Sequence, residues 1–297
     1  MISNQRFGLS CAIATPFHDD LRIDHARLAD HASWCLNAGC SSFTLFGTTG
    51  EGASISLSER EEVLRRLAET GIDLSQQVVG SIASSSIGDG LQQAKIFLDR
   101  GVRTLLIAPP FYFKNVSDEG LFEWYSIVCK EVGGLGGQVI LYHIPPATQI
   151  PLSIELIGKL KRAWPAVIRG VKDSGGDWSY AHALLDAHRE LIILIGDERL
   201  LAAGMRAGAS GSISGLANIC PDILKSIVEQ GDENLRIETI TSEILKEAVT
   251  PAIKALLAHR RKDPGWMNVR PPLVRCPTDA VAQLISTYDG MFPGDSA

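Results

Sequence analysis

Over the first three quarters of the chain, short apolar runs rich in β-branched residues recur, each separated from the next by a longer stretch with helical periodicity. Eight such runs can be counted, at residues 9–16, 42–47, 77–83, 104–110, 138–144, 167–173, 191–197 and 209–215. This repetition constrains the fold most tightly, because consecutive parallel strands need a crossover, usually a helix, and the helices then cover the sheet. The runs are apolar nearly throughout, as in Thr104-Leu105-Leu106-Ile107-Ala108 and Leu191-Ile192-Ile193-Leu194-Ile195, which suits strands buried on both faces. Eight parallel strands closed on themselves leave no unpaired edge, so the expected architecture is α/β, a (β/α)8 TIM barrel. A doubly wound open sheet competes with it. That arrangement is disfavoured because Ala14-Thr15-Pro16-Phe17-His18 stands where a dinucleotide fold places its Gly-rich turn.

Between the runs lie helical segments such as Ser58 to Thr70, for which Ser58 is the predicted N-cap and Glu61 its capping-box partner. From Pro221 onward no strand pattern returns. Helices are predicted over 222–230, 235–260 and 278–290, with breaks at Pro264-Gly265 and Arg270-Pro271-Pro272. The chain therefore divides into a barrel over 1–220 and a C-terminal helical extension over 221–297 that packs on it.

Hydrophobic residues make up 45% and charged residues 21% of the 297, ample for a large core. A formal net charge of −6 argues against a surface built for nucleic acid. No apolar run approaches the roughly 18 residues of a membrane span, and Met1 to Arg6 lead directly into the first strand, so a cytoplasmic protein without a membrane partner is expected. Cys11, Cys35, Cys40, Cys129, Cys220 and Cys276 are scattered, with no C-x-x-C pair and no His/Cys cluster at zinc spacing. They read as reduced core cysteines, and no metal is expected.

In a barrel the chemistry sits at the C-terminal ends of the strands and in the loops that follow. The sixth run, Val167-Ile168-Arg169-Gly170-Val171-Lys172-Asp173-Ser174, carries a lysine near its end. Desolvation there favours the free amine that attacks a carbonyl, which makes Lys172 a Schiff-base candidate; the same lysine could instead reach solvent or pair with Asp173. After the second run comes Gly47-Thr48-Thr49-Gly50-Glu51-Gly52, a turn whose N–H groups could hold a carboxylate and whose hydroxyls could relay a proton. The fifth run carries Tyr142 near its end, which offers a phenol for proton transfer or else packs as a core tyrosine. His143, the next residue in the strand, should face the helices and be structural.

Together these motifs, with Thr15-Pro16-Phe17, Ala108-Pro109-Pro110-Phe111-Tyr112, Gly196-Asp197-Glu198 and Arg270-Pro271-Pro272-Leu273, resemble the dihydrodipicolinate synthase and N-acetylneuraminate lyase family from Gly8 to about Phe292. The resemblance implies a class I aldolase or lyase that forms an imine with pyruvate or a related 2-oxo acid. It matches Lys172 to the imine lysine, Tyr142 to the proton-shuttling tyrosine, and Thr49 to the threonine of a tyrosine-threonine-tyrosine relay. Thr48 and Thr49 match the carboxylate cradle by their amides, Ile213 matches an apolar residue of the pyruvate pocket, and Tyr112 best matches the relay tyrosine donated by a neighbouring subunit. A homo-oligomer, dimer or tetramer, follows from that last match. The imine itself serves as electron sink, so no cofactor is implied.

The loop Tyr142-His143-Ile144-Pro145-Pro146-Ala147-Thr148-Gln149 departs from the pattern. Enzymes of the family that make dihydrodipicolinate carry an arginine where Ala147 stands, to hold the carboxylate of aspartate semialdehyde, and a glycine where Gln149 stands. Leu57 and Arg60 occupy positions where lysine-regulated synthases often place histidines. Alanine at 147 is more like the branch that cleaves 2-keto-3-deoxy sugar acids to pyruvate and an aldehyde. Gly196, Asp197 and Glu198, with Thr148 and Gln149, would then meet the substrate hydroxyls. The alternatives are 4-hydroxy-tetrahydrodipicolinate synthase, a dehydratase or deaminase on the same imine, and a 2-oxo acid sensor without catalysis.

Overall fold

In the computed structural model, which describes residues 6–293, the strands pair in sequence order and the eighth returns to the first. They are β1 (Gly8–Ala12), β2 (Ser42–Leu45), β3 (Val78–Ile82), β4 (Thr104–Ile107), β5 (Gln138–His143), β6 (Ile168–Asp173), β7 (Ile192–Ile195) and β8 (Gly211–Ser214). Every pairing is parallel, and β8 aligns Gly8 with Gly211 to close the ring. The expected (β/α)8 barrel is therefore the fold.

Alternation along each strand sorts the side chains into two cores. Ala12, Val79, Leu106, Ile140, Tyr142, Leu194 and Ile213 fill the barrel itself. Their strand neighbours Cys11, Leu105, Ile107, Val139, Leu141 and Ile193 belong to the larger shell between sheet and helices. Five of the six cysteines are buried as expected; Cys276 is only half-buried, because it lies in the loop that precedes the last helix, and all six are free.

Three boundaries differ from the sequence expectation. Helix Leu57–Glu69 is capped by Ser56, not Ser58, with Glu59 completing the capping box. The pattern Ser-x-x-Glu occurs in both registers, and the earlier one also lets Glu59 bind Arg270. The predicted helix 235–260 is two helices, Leu235–Ile244 and Val249–Arg261. Pro251 has no N–H to donate, so it is accommodated only in the first turn of a new helix. Helix Pro221–Gln230 packs on β1 and on helix Leu201–Arg206, in the eighth position of the helical ring, so the ring ends one helix beyond residue 220. Leu235–Ile244, Val249–Arg261 and Thr278–Met291 pack on one another beyond it. Among the described residues no helix is long and apolar enough to cross a membrane.

Candidate active site

β5 and β6 are neighbours, and their register sets Tyr142 beside Lys172. Lys172 Nζ donates to Tyr142 Oη at 3.1 Å and lies 4.4 Å from the centroid of the same ring. Lys172 is 5% exposed, and it does not pair with Asp173, whose carboxylate faces the other side of the sheet toward His143 at 3.9 Å. Burial alone would push the Tyr142 phenol up. The Lys172 ammonium, helped by hydrogen bonds with Thr48, Lys172 and Ser174, outweighs it and holds the phenol below its ordinary value.

The end of β7 leaves room for the lysine through one residue. A Cβ on Gly196 would stand 2.9 Å from Lys172 Cε and 2.1 Å from Ser174 Oγ, so any other residue displaces the lysine stem. Gly196 N–H donates to Asp173 O at 2.7 Å, which ties the turn to β6.

The Gly47–Gly52 turn closes the site from β2. Thr48 Oγ1 is 3.5 Å from Tyr142 Oη. The threonine hydroxyl within reach of Tyr142 is that of Thr48, while the buried side chain of Thr49 faces Gly215 because the turn points successive side chains apart. The N–H groups of Thr48 and Thr49 donate to no other described group, which leaves two donors for a carboxylate.

What holds that turn was not anticipated. Glu51, with a left-handed φ of 53°, turns its fully buried carboxylate onto Lys254, and its second oxygen accepts the Arg270 N–H at 2.9 Å. Lys254 Nζ also donates to Asn268 O at 2.7 Å, and burial pushes its pKa down to about 8 against the opposing pull of Glu51. Thr250 Oγ1 donates to Thr48 O at 3.2 Å. Arg60, 1% exposed, donates to the carbonyls of Gly52, Ile55 and Ser81. The available signal was Ala252-Ile253-Lys254-Ala255-Leu256, a lone lysine inside an apolar helical run that needs a buried counter-ion.

A cavity of about 430 Å³ has Lys172, Tyr142, Thr48, Thr49, Gly196 and Glu198 on one side. Thr241, Ile244, Leu245, Val249 and Ile253 from the C-terminal helices form the other. Glu198 accepts from Ser214 Oγ at 2.5 Å and Leu216 N–H at 3.2 Å, and burial pushes its carboxyl up.

Other expected residues lie elsewhere. Ile213 is sealed inside the barrel against the same core as Tyr142, off the cavity wall. Tyr112 is 76% exposed and meets Phe113 edge-on at 5.6 Å, outside the cavity of its own chain. Thr148 is buried with its hydroxyl donating to the carbonyls of Ile144 and Ile150, so it is not free for substrate. Gln149 is exposed and also off the wall, with φ of 59°, the left-handed conformation for which a glycine is the usual choice. Ala147 does line the cavity. His143 faces the helices as expected: it stacks on Tyr180 at 4.0 Å and accepts the Leu152 N–H on Nδ1 at 3.1 Å, while burial pushes it down to about 4.

The chain is 28% identical over 295 residues to an uncharacterized DapA-like lyase of Chloroflexus aurantiacus, covering 97% of each chain. Its structure matches the crystal structure of dihydrodipicolinate synthase from Agrobacterium tumefaciens with a TM-score of 0.94 and 43% identity, over 97% of this chain and 100% of that one. A variant of 2-keto-3-deoxygluconate aldolase from Sulfolobus solfataricus shares the fold, with a TM-score of 0.82 and 21% identity over 96% of each chain. The model of the Dihydrodipicolinate synthetase family matches residues 5–287, nearly the whole chain, and with the lysine, tyrosine and threonine gathered at the barrel mouth it places this protein in that family, among its carbon–carbon lyases.

Proposed function

We propose that Lys172 forms a Schiff base with pyruvate and that the protein reversibly cleaves a 2-keto-3-deoxy sugar acid to pyruvate and an aldehyde. The observation that carries this reading is the buried Lys172–Tyr142 contact at 3.1 Å inside a cavity whose β5 wall presents Ala147 instead of a cation.

The substrate carboxylate rests on the Thr48 and Thr49 amides. The Lys172 amine adds to the C2 carbonyl, the carbinolamine loses water, and an iminium forms. Tyr142, held below its ordinary pKa, takes the proton of the C4 hydroxyl; the C3–C4 bond breaks and its electron pair flows to the iminium nitrogen. The aldehyde leaves, the enamine is protonated at C3, and water releases pyruvate from Lys172. The iminium supplies the electron sink, so these steps call for no metal or cofactor. The exposed Tyr112 would join Tyr142 and Thr48 from a second subunit of a homo-oligomer, dimer or tetramer.

A synthase that condenses pyruvate with aspartate semialdehyde is the second reading, favoured by the 43% identity to the Agrobacterium protein of that name. Loss of a bidentate contact at Ala147 weakens it by roughly 2 to 5 kcal/mol, about 30-fold to several-thousand-fold in rate.

Reduction with borohydride in the presence of pyruvate tests the covalent step. A three-carbon adduct on Lys172, absent from Lys172→Ala, is expected; no adduct on the wild type, or the same adduct on the variant, refutes it. The kcat/KM for cleavage of 2-keto-3-deoxygluconate and related acids, set against that for condensation with aspartate semialdehyde, then decides between the readings. Efficient condensation with no cleavage restores the synthase.

A further inference from the structure

Arg199 follows Glu198 in the single turn Glu198–Leu200, and among the described residues it is the one guanidinium that lines the Lys172 cavity. Asp197 fixes its attitude. Asp197 Oδ1 accepts from Nε at 3.0 Å and Oδ2 from Nη2 at 2.7 Å, and Oδ1 also takes the Arg199 N–H at 3.0 Å. This carboxylate is therefore committed to the arginine. Nη1 donates to no other described group, so the fork leaves one donor edge unused. Hydrogen bonding to Asp197 holds the guanidinium above its ordinary value, and the cation persists.

Position in the ring decides what Arg199 can reach. β5 and β7 flank β6, so the Ala147 loop and Arg199 stand on opposite sides of Lys172. A substrate joined to Lys172, with its first carboxylate on the Thr48–Thr49 turn, finds Ile144, Pro146 and Ala147 toward β5. Toward β7 it finds Glu198 and then a positive charge.

We propose that Arg199 determines specificity by holding a second, terminal anionic group, so that the preferred substrates are 2-oxo diacids. This rests on reading the cavity as the 2-oxo acid site of a lyase, and it deepens that reading. The chain of such a substrate points toward β7, the reverse of a site whose clamp lies on the β5 loop. Hydroxyls between the two ends fall beside Glu198.

Calorimetric titration with 2-oxoadipate and 2-oxohexanoate, equal in length and different at the far end, tests the proposal. The wild type should bind the diacid at least about tenfold more tightly. Removing Arg199 alone would leave Asp197 as an unpaired negative charge, so the informative variant is Asp197→Asn with Arg199→Leu, in which the ratio should fall to about one. Asp197→Asn alone keeps the cation but loosens its hold, so the preference should fall less than in the double variant. Arg199→Gln with Asp197→Asn serves as a second variant should the leucine variant fold poorly. A wild type indifferent to the second carboxylate, or a preference that survives without Arg199, overturns the proposal. Failure to release pyruvate from any sugar acid would refute the cleavage reading and leave this ratio readable, so the two failures are distinct.

Discussion

In the proposed reaction Tyr142 carries two duties that its surroundings make compatible. The Lys172 ammonium lowers the phenol, so Tyr142 can receive a proton, and Thr48 at 3.5 Å offers a route by which the proton moves on. Tyr142→Phe keeps the ring that Lys172 overlies and removes only the hydroxyl, so turnover should drop about 10²-fold or more with the thermal midpoint little changed. Equal turnover would make Tyr142 a packing residue. Thr48 and Thr49 are separable in the same assay: Thr48→Val should lower kcat by about tenfold or more, and Thr49→Val by less. The opposite order would return the relay to Thr49. Before folding is considered, the two threonines of Gly-Thr-Thr-Gly are equivalent, since only the path of the turn decides which hydroxyl reaches β5. Lys172 and Tyr142 were legible for a different reason: polar residues closing apolar strands lie at the mouth of a barrel whatever the detail of its loops.

The helix Val249–Arg261 acts on the site through the turn after β2. Its Lys254 meets Glu51 in a pair with no exposed side-chain surface, and removing one partner of such a pair leaves a buried charge. Lys254→Met should destabilise the fold by about 3 to 5 kcal/mol in urea unfolding, and Glu51→Gln added to it should restore much of the loss. A change below about 1 kcal/mol in the single variant would show that the pair is not a structural tie. Glu59 provides a second tie: the Arg270 hydrogen bond holds its carboxyl down to about 2, and Arg270 also donates to the carbonyls of Leu21 and Ser54. This gives the late Arg-Pro-Pro-Leu segment a physical role, with Leu273 reaching the cavity wall. Strands were readable because their apolar period ends sharply at turn residues. The break between Leu235–Ile244 and Val249–Arg261 was not, since helical periodicity runs through it and only Pro251 marks it. Arg199 escaped notice because its value depends on which cavity the turn after β7 enters.

At the scale of the whole molecule, Tyr112 and Phe113 stand exposed side by side on the loop between β4 and helix Asp118–Gly134. If Tyr112 serves a neighbouring subunit, subunits carrying Tyr112→Phe and subunits carrying Lys172→Ala, each nearly inactive alone, should complement when mixed. A competent site then pairs the intact Lys172 of one subunit with the intact Tyr112 of the other, giving about a quarter of wild-type activity at equal mixing. Activity no higher than that of the parents would confine Tyr112 to its own chain. The cavity is divided along the sequence in a comparable way. Strand ends and turns before residue 199 supply Lys172, Tyr142, Thr48 and Glu198, while Thr241, Ile244, Leu245, Val249 and Ile253 supply the facing wall. Inheritance can therefore act on the two parts separately: drift in the codons of those wall residues recuts one side of the cavity while the Lys172 side is transmitted intact. One ancestral gene, copied and altered only in that stretch, would yield enzymes that share a first step and diverge in what they release.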